Sequence, residues 1–391
     1  MTNELVALRV APSVMGAWLE HVWEHGDAAL PLDPHASSSE LTRVLRRLRP
    51  ARLISGSEQD GWREEPLADA TGVDEGTALV VATSGSTGEP KGVELGHAAL
   101  TASTRASVRR LGCRRGESWL GCLPMHHVAG VQTLLRSWEM DAEPVVHDRF
   151  DVEEVARSEA RHVSLVPTQL ARLLQAGVDL RHFDTVLLGG ARPPTGLLER
   201  AAQAQVRVVV SYGMSETCGG CVYDGEPLDG VEAAIDEHDR IRLRGPVLFS
   251  GYREDPQATW EAIDADGWFV TGDVGRWVEG RLEVVGRADD VVISGGENVP
   301  LQAVEVALRS HRGVHDAVAA GVEDPEWGHV VVAAVVPSDP EDPPTLDELR
   351  EHVRHGHPPA FAPRRVVLVE EIPRDELGKV TRSAVDRLLG H

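Results

Sequence analysis

Apolar residues along this 391-residue chain change rhythm several times, and each change marks out elements. Through residues 1–75, short helical patterns such as 39–45 mix with loops, and no motif there suggests a chemistry. From Ala78 onward, continuous apolar runs take over at 78–82, 163–166, 186–188 and 206–210. Runs without polar alternation belong to strands whose two faces are both covered. Helical stretches at 168–175 and 196–204 lie between them. The alternation predicts an α/β layer architecture around a largely buried sheet. Beyond Arg240 the runs shorten and glycine punctuates them (241–243, 268–270, 282–285), which predicts hairpins at the edge of that core.

A boundary is expected at Gly286-Arg287-Ala288-Asp289-Asp290, dividing the chain into domains 1–287 and 288–391. After it the pattern predicts a loop, a helix over 303–310, a strand over 330–336, an acidic Pro-rich turn at 339–344, a helix over 346–355 and a strand over 366–369. Residues 374–380 read as a polar loop before a last helix from Arg382. This amounts to one small domain of mixed α and β structure.

Composition narrows the class. A hydrophobic share of 42% and a charged share of 26% are those of a globular protein. The longest apolar run, 330–336, falls far short of the ~18 residues of a membrane span. No basic segment leads into an apolar stretch at the N-terminus, so a cytoplasmic protein is expected. A net charge of −23 disfavours nucleic acid and anionic membranes as partners, while leaving room for a small anion in a local pocket. Four cysteines make no disulfide framework. A homo-oligomer is compatible with the sequence, which does not report assembly.

Of the 39 basic residues only Lys91 and Lys379 are lysines. Lysine is a compact charge on a slim stem, whereas arginine is a broad planar fork. The two lysines are therefore candidates for places where a fork would not fit, the alternative being chance survival on the surface.

One of them closes the most informative stretch, Thr83-Ser84-Gly85-Ser86-Thr87-Gly88-Glu89-Pro90-Lys91-Gly92, which follows the run 78–82. Its glycines permit close backbone approach, and its hydroxyls and N–H groups can surround phosphate oxygens. It is not a P-loop, which needs Gly before the Lys and Ser or Thr after it; Pro90 and Gly92 stand there.

This loop resembles the signature of the adenylate-forming superfamily of acyl- and aryl-CoA ligases, luciferases and peptide-synthetase adenylation domains. Four further stretches resemble that family's motifs in order: Tyr212-Gly213-Met214-Ser215-Glu216-Thr217, Thr271-Gly272-Asp273, Gly286-Arg287-Ala288-Asp289-Asp290, and Leu377-Gly378-Lys379. The resemblance implies an α/β fold, with a large N-terminal α/β domain of adenylate-forming type and a smaller, mobile C-terminal α+β domain. It implies ATP, Mg2+ and CoA as cofactor and co-substrates, and a small carboxylic acid as the partner. In that family's reaction a carboxylate attacks the α-phosphate of ATP, and a thiol then displaces AMP.

The same resemblance distributes roles. Lys379 is the catalytic cation between two anions, or else a solvated loop lysine. Thr83 to Gly88 and Lys91 hold phosphates. Tyr212 stacks on adenine, or else is a packed core aromatic. Gly190, Gly213 and Ser215 line the nucleotide. Glu216 is the magnesium ligand, or else an acid at a helix N-terminus. Asp273 takes the ribose hydroxyls, or is a turn residue. Arg287 touches the nucleotide, or pairs with Asp289 or Asp290. Asp289 is the hinge. Ser294, Gly295 and Gly296 form the loop that admits the pantetheine arm, or are a hairpin turn.

Leu123-Pro124-Met125-His126-His127-Val128-Ala129-Gly130 matches the family's Pro-x-x-His segment and places His127 at the acyl pocket, as a catalytic and substrate-binding residue. Gly189 and Gly190 are implied as further substrate-binding residues. Residues 128–138 read as an apolar helix carrying Gln132 and Arg136 on one face. A guanidinium in that stripe needs an anion or an escape to solvent, and Glu139 is one candidate partner. The order His127, Gly130, Arg136 is similar to o-succinylbenzoate–CoA ligases of menaquinone biosynthesis. There the arginine would hold the substrate's second carboxylate, with Gln132 beside it. The competing readings are another aryl- or acyl-CoA ligase, or an adenylation enzyme that loads a carrier protein.

Overall fold

The computed structural model describes residues 3–84, 89–194, 196–295, 297–374, 380 and 382–389. The chain forms two compact units. The first comprises Met1–Ala233 and Leu243–Val270, the second Ala234–Arg242 and Thr271–His391.

Two seven-stranded sheets build the first unit. In one, Leu5–Arg9 lies between Ala28–Pro31 and Arg52–Ser57, parallel to both. Thr77–Ser84 continues the sheet parallel to Ala28–Pro31, and Pro90–Gly96 returns antiparallel to it. Strand alternation assigns neighbours to opposite faces. Val6 and Leu8 pack with Met15, Leu19 and Val81, whereas Leu5 and Ala7 pack with Leu30, Leu48 and Val80. Covering on both faces makes the strand apolar from Leu5 to Leu8. These early strands lie in the region where the sequence suggested only short helices and loops. Of those, the helix Ser38–Leu48 is present, capped by the Ser37 side chain.

The second sheet has five parallel strands in the order Val145–Val146, Trp119–Gly121, His162–Leu165, Thr185–Leu188 and Val208–Met214. Gly219–Tyr223 and Glu226–Pro227 extend it antiparallel. The expected strands at 163–166, 186–188 and 206–210 and the expected helices, observed as Pro167–Gln175 and Leu197–Gln203, all belong here.

In the second unit, Phe269–Val278 and Arg281–Arg287 form an antiparallel hairpin in which Asp273 faces Arg287. This compact unit takes in Ala234–Arg242 and the chain from Thr271, and so includes the hairpin's residues from Thr271 to Arg287. Beyond it, Glu297–Pro300, Val291–Ser294, Gly328–Pro337 and Val314–Asp324 lie in that order, with Arg365–Leu368 beside Gly328–Pro337. Helices Leu301–Arg309 and Leu346–Gly356 cover one face through Val304, Leu308, Leu349 and Val353 against Val331, Ala333 and Val335. Val385 and Leu389 of Arg382–Leu389 cover the other, against Val332, Ala334 and Val336. The segment expected as a loop after Asp290 is instead the hairpin Val291–Ser294 with Glu297–Pro300.

Candidate active site

The phosphate-loop candidate is held at both ends by an antiparallel ladder that sets Thr83 opposite Lys91 and Ser84 opposite Pro90. The Thr83 hydroxyl donates to the Lys91 carbonyl at 3.4 Å. Gly85, Ser86, Thr87 and Gly88 lie outside the described residues, as does the Ser84 side chain. Gly92 is closely packed, since a Cβ there would come 2.7 Å from Leu48 Cδ2. The Lys91 ammonium sits 5.0 Å from the ring centroid of Tyr252. The Tyr252 hydroxyl in turn donates to Glu216 Oε1 at 2.8 Å. One aromatic residue therefore joins the loop's cation to the expected metal ligand. Sequence inspection missed Tyr252, because its strand, Gly251–Tyr252, is too short to leave a pattern.

Glu216 follows the strand Val208–Met214 in a single tight turn, Ser215–Thr217, rather than at the head of an α-helix. The turn is pinned by Thr217, whose hydroxyl accepts from Met214 N at 2.9 Å and donates to Gly219 O at 2.6 Å. Gly213 admits no side chain, since a Cβ would lie 2.0 Å from Gly219 O. Tyr212 is half-buried rather than part of the buried core, and Ser215 is likewise half-buried.

Gly189 and Gly190 follow the neighbouring strand Thr185–Leu188. Gly190 has φ +83°, a left-handed conformation that favours glycine. After the strand Trp119–Gly121, His127 stands at the N-cap of helix Val128–Glu139, its ring 4.4 Å from that of His126. Gly130 lets this helix pack on the preceding turn, where a Cβ would sit 2.3 Å from the Pro124 carbonyl oxygen. His127, Gly189 and Gly190 thus follow the carboxyl ends of strands in one parallel array, and Tyr212 to Glu216 occupy the carboxyl end of another strand of it and the turn beyond. That is where α/β sheets bind their ligands.

Gln132 and Arg136 share the buried face of the same helix. Gln132 is saturated. Its amide donates to Cys218 O at 2.8 Å and Ser103 Oγ at 3.4 Å, and its carbonyl accepts from the Thr104 hydroxyl at 3.1 Å. Arg136 is only 3% exposed. Glu139, its candidate partner, pairs with Arg105 instead, at 2.9 Å. Among the described residues Arg136 donates to hydroxyls alone, from Nε to Ser107 Oγ (3.0 Å), Nη1 to Ser164 Oγ (3.3 Å) and Nη2 to Tyr223 (3.5 Å). Its guanidinium carbon lies 4.8 Å from the centroid of Trp119.

Within the second unit, Arg287 Nε lies 3.5 Å from Asp273 Oδ1, so these two nucleotide candidates meet and Arg287 takes Asp273 as a partner. Gly272 makes room for this, as its Cβ would come 2.8 Å from Arg287 Nη2. Asp289 belongs to the short turn Ala288–Asp290; its side chain is outside the described set. Ser294 is buried, and Gly295 (φ +59°) forms the hairpin turn against Trp327, donating to the Trp327 carbonyl at 2.9 Å. Gly296 and Lys379 lie outside the described residues.

Residues 27–252 match the family model of the AMP-binding enzymes, and residues 303–379 match that of the AMP-binding enzyme C-terminal domain. The chain belongs to this AMP-binding family. Among its relatives is a probable 2-succinylbenzoate–CoA ligase of Mycobacterium tuberculosis, 43% identical over 362 residues, which cover 89% of this chain and 93% of the relative. Among solved family members, o-succinylbenzoate CoA synthetase (MenE) of Bacillus subtilis in complex with the acyl-adenylate intermediate OSB-AMP superposes with TM-score 0.85 at 27% identity, over 98% of this chain and 88% of that one. The same synthetase in complex with ATP and magnesium ion gives TM-score 0.85 at 26% identity, over 98% and 90%. The mixed α/β architecture of both units is that of the family. No helix among the described residues is long and apolar enough to cross a membrane.

Proposed function

We propose that this enzyme is an AMP-forming acid–thiol ligase that activates o-succinylbenzoate with ATP and transfers it to CoA, a step of menaquinone biosynthesis. The relatives' names support the reaction. The observation that carries the choice of acid is Arg136, a buried guanidinium that pairs with no carboxylate among the described residues and lies two helical turns beyond His127. A dicarboxylate needs one cation where it reacts and a second where it is recognised.

In the first half-reaction a carboxylate oxygen forms a bond to the α-phosphorus, the bond to the β-phosphate oxygen breaks, and pyrophosphate leaves. Two anions meet, and Lys379 is assigned to neutralise them. In the second, the CoA sulfur bonds to the acyl carbon, its proton departs, and AMP leaves. Lys91 and the loop before it take the phosphates. Tyr212, Gly190, Gly213 and Ser215 take the base and its surroundings, and Asp273 with Arg287 the ribose side. Glu216 fits magnesium by donor chemistry, being a half-buried carboxylate with one oxygen held by Tyr252. The ion would neutralise phosphate charge. Gln132 serves by fixing the helix that carries Arg136. Rotation at Asp289 would exchange Lys379 for the loop Ser294-Gly295-Gly296 between half-reactions. The four free cysteines suit a reducing cytoplasm.

The test is pyrophosphate release across a panel of carboxylic acids, with and without CoA. The enzyme should respond to o-succinylbenzoate above monocarboxylic aryl acids. Arg136→Leu should raise KM for o-succinylbenzoate about 30-fold or more, as for loss of a charge-assisted pair, and spare turnover of any monocarboxylic acid accepted. Equal loss with both kinds of acid removes the recognition role. Lys379→Ala should fold normally and lose adenylate formation by about three orders of magnitude or more, the scale of a transition-state charge contact.

A further inference from the structure

The short strand Gly251–Tyr252 connects two parts of the nucleotide site that are distant in sequence, the base of the phosphate loop and the turn that carries Glu216. It lies antiparallel to Pro90–Gly96, with Gly251 opposite Glu94 and Tyr252 opposite Val93. Backbone bonds flank this pairing, from Ser250 N to Glu94 O at 2.9 Å and from Arg253 N to Gly92 O at 2.8 Å. They set the strand beside Lys91. The same stretch reaches the turn Ser215–Thr217, because Phe249 N donates to the Glu216 carbonyl at 2.8 Å. Tyr252 is held from other sides as well. Its N–H donates to Thr259 Oγ1 at 2.8 Å, and its ring meets that of Phe249 edge-on with centroids 4.9 Å apart. Backbone and ring are both fixed, which leaves the phenol little freedom.

The side chain meets a negative charge at its tip and a positive one on its ring. The hydroxyl donates to Glu216 Oε1 at 2.8 Å, while the Lys91 ammonium lies 5.0 Å from the ring centroid. A cation within about 6 Å of an aromatic centroid is attracted by the negative face of the ring. Among the described residues Lys91 forms no ion pair, and of the two Glu216 oxygens only Oε1 accepts a hydrogen bond. Opposite charges that are both half-buried attract one another more strongly than they would in water. Direct pairing would occupy the cation that phosphates need and the carboxylate that magnesium needs. A neutral hydroxyl and a ring face engage both groups and neutralise neither.

We propose that Tyr252 is a positioning residue that keeps Lys91 and Glu216 from pairing with each other. Its hydroxyl orients the carboxylate for magnesium, and its ring holds the ammonium for the phosphates. No bond is made or broken at the phenol, which acts through the two residues it holds. The proposal rests on the assignment of Lys91 to ATP and of Glu216 to magnesium.

The test is ATP binding by the full-length enzyme, measured by isothermal titration calorimetry without a carboxylic acid so that no turnover occurs. Titrations are run once with excess Mg2+ and once with EDTA. In the wild type Mg2+ should tighten binding. Tyr252→Phe keeps the ring and removes the hydroxyl. It should weaken binding about three- to tenfold in Mg2+, the scale of one net hydrogen bond, and leave the EDTA value within about twofold. Tyr252→Leu removes the ring as well, and should weaken binding in EDTA too, about two- to fivefold. A tyrosine that merely packs would leave both affinities of the Phe variant unchanged or move them by one factor. In pyrophosphate release, the half-saturating Mg2+ concentration of Tyr252→Phe should rise by the same three- to tenfold, about one net hydrogen bond. Circular dichroism checks the fold, and the near-isosteric Phe variant carries the test if the Leu variant does not fold. An equal Mg2+ effect in the wild type and Tyr252→Phe overturns the proposal, as does a folded Tyr252→Leu that binds ATP in EDTA as tightly as the wild type. The two readings fail separately. If Mg2+ leaves wild-type affinity unchanged, the assignment of Glu216 falls and takes the tyrosine with it; if the wild type responds and Tyr252→Phe responds equally, only the tyrosine falls.

Discussion

Gly130 shows how much of the acyl end of the site depends on the absence of a side chain. Its missing Cβ would stand 2.3 Å from the Pro124 carbonyl oxygen, and that carbonyl also accepts from His127 N at 3.2 Å. Gly130 N closes the turn on the His127 carbonyl at 3.0 Å. A methyl group at this position must push the helix start away from the turn. Gly130→Ala should therefore cost about 1–3 kcal/mol, as overpacking typically does, and raise KM for the acid by moving His127. Urea denaturation and initial rates check both parts, and an unchanged midpoint would contradict the packing argument. Single residues of this kind were legible when they sat in a contiguous motif, as His127, Glu216 and Lys91 do. Tyr252, Ser107, Ser164 and Tyr223 were not, because each reaches its partner from a separate element and no spacing records the meeting.

At the scale of elements, the strand His162–Leu165 is tied to its neighbour by an ionisable contact. His162 is 1% exposed, stacks on Trp119 with ring centroids 5.0 Å apart, and lies 3.1 Å from Glu117 Oε2 through Nε2. Burial holds its pKa below the ordinary 6.5, against the attraction of Glu117. Between the depressed value and 6.5 the unfolded chain binds the proton and the folded one does not, so stability rises with pH there. The contribution is full above 6.5 and is lost as pH falls through that window. His162→Gln should flatten this part of a curve of urea midpoint against pH; a curve of unchanged slope would show that the ring does not control it. The element pattern itself was legible where strands are covered on both faces, since Gly328–Pro337 and Thr185–Leu188 then read as unbroken apolar runs. Val314–Asp324 escaped notice because Ala317, Ala319 and Ala320 fill much of its buried middle, and small residues carry little strand signal. The hairpin Val291–Ser294 with Glu297–Pro300 was hidden for another reason: a turn rich in glycine looks like any loop.

At the scale of the whole molecule, the sequence supplied the family through five ordered motifs. The division of the chain into its two compact units was not legible in the motifs, because the second unit draws on two separate stretches, Ala234–Arg242 and Thr271–His391. The scarcity of lysine is also a property of the whole chain, and it points to Lys91 and Lys379 before any motif does. The separate enclosure of Val331, Ala333 and Val335 on one side, and of Val332, Ala334 and Val336 on the other, gives the second unit an interior of its own. Proteins built this way depart from all-or-none melting. Differential scanning calorimetry should therefore resolve two overlapping endotherms, where a single cooperative peak would mean that the interiors melt together. Each unit would then have its own enthalpy and heat capacity, and a lone midpoint from a dye assay would describe neither.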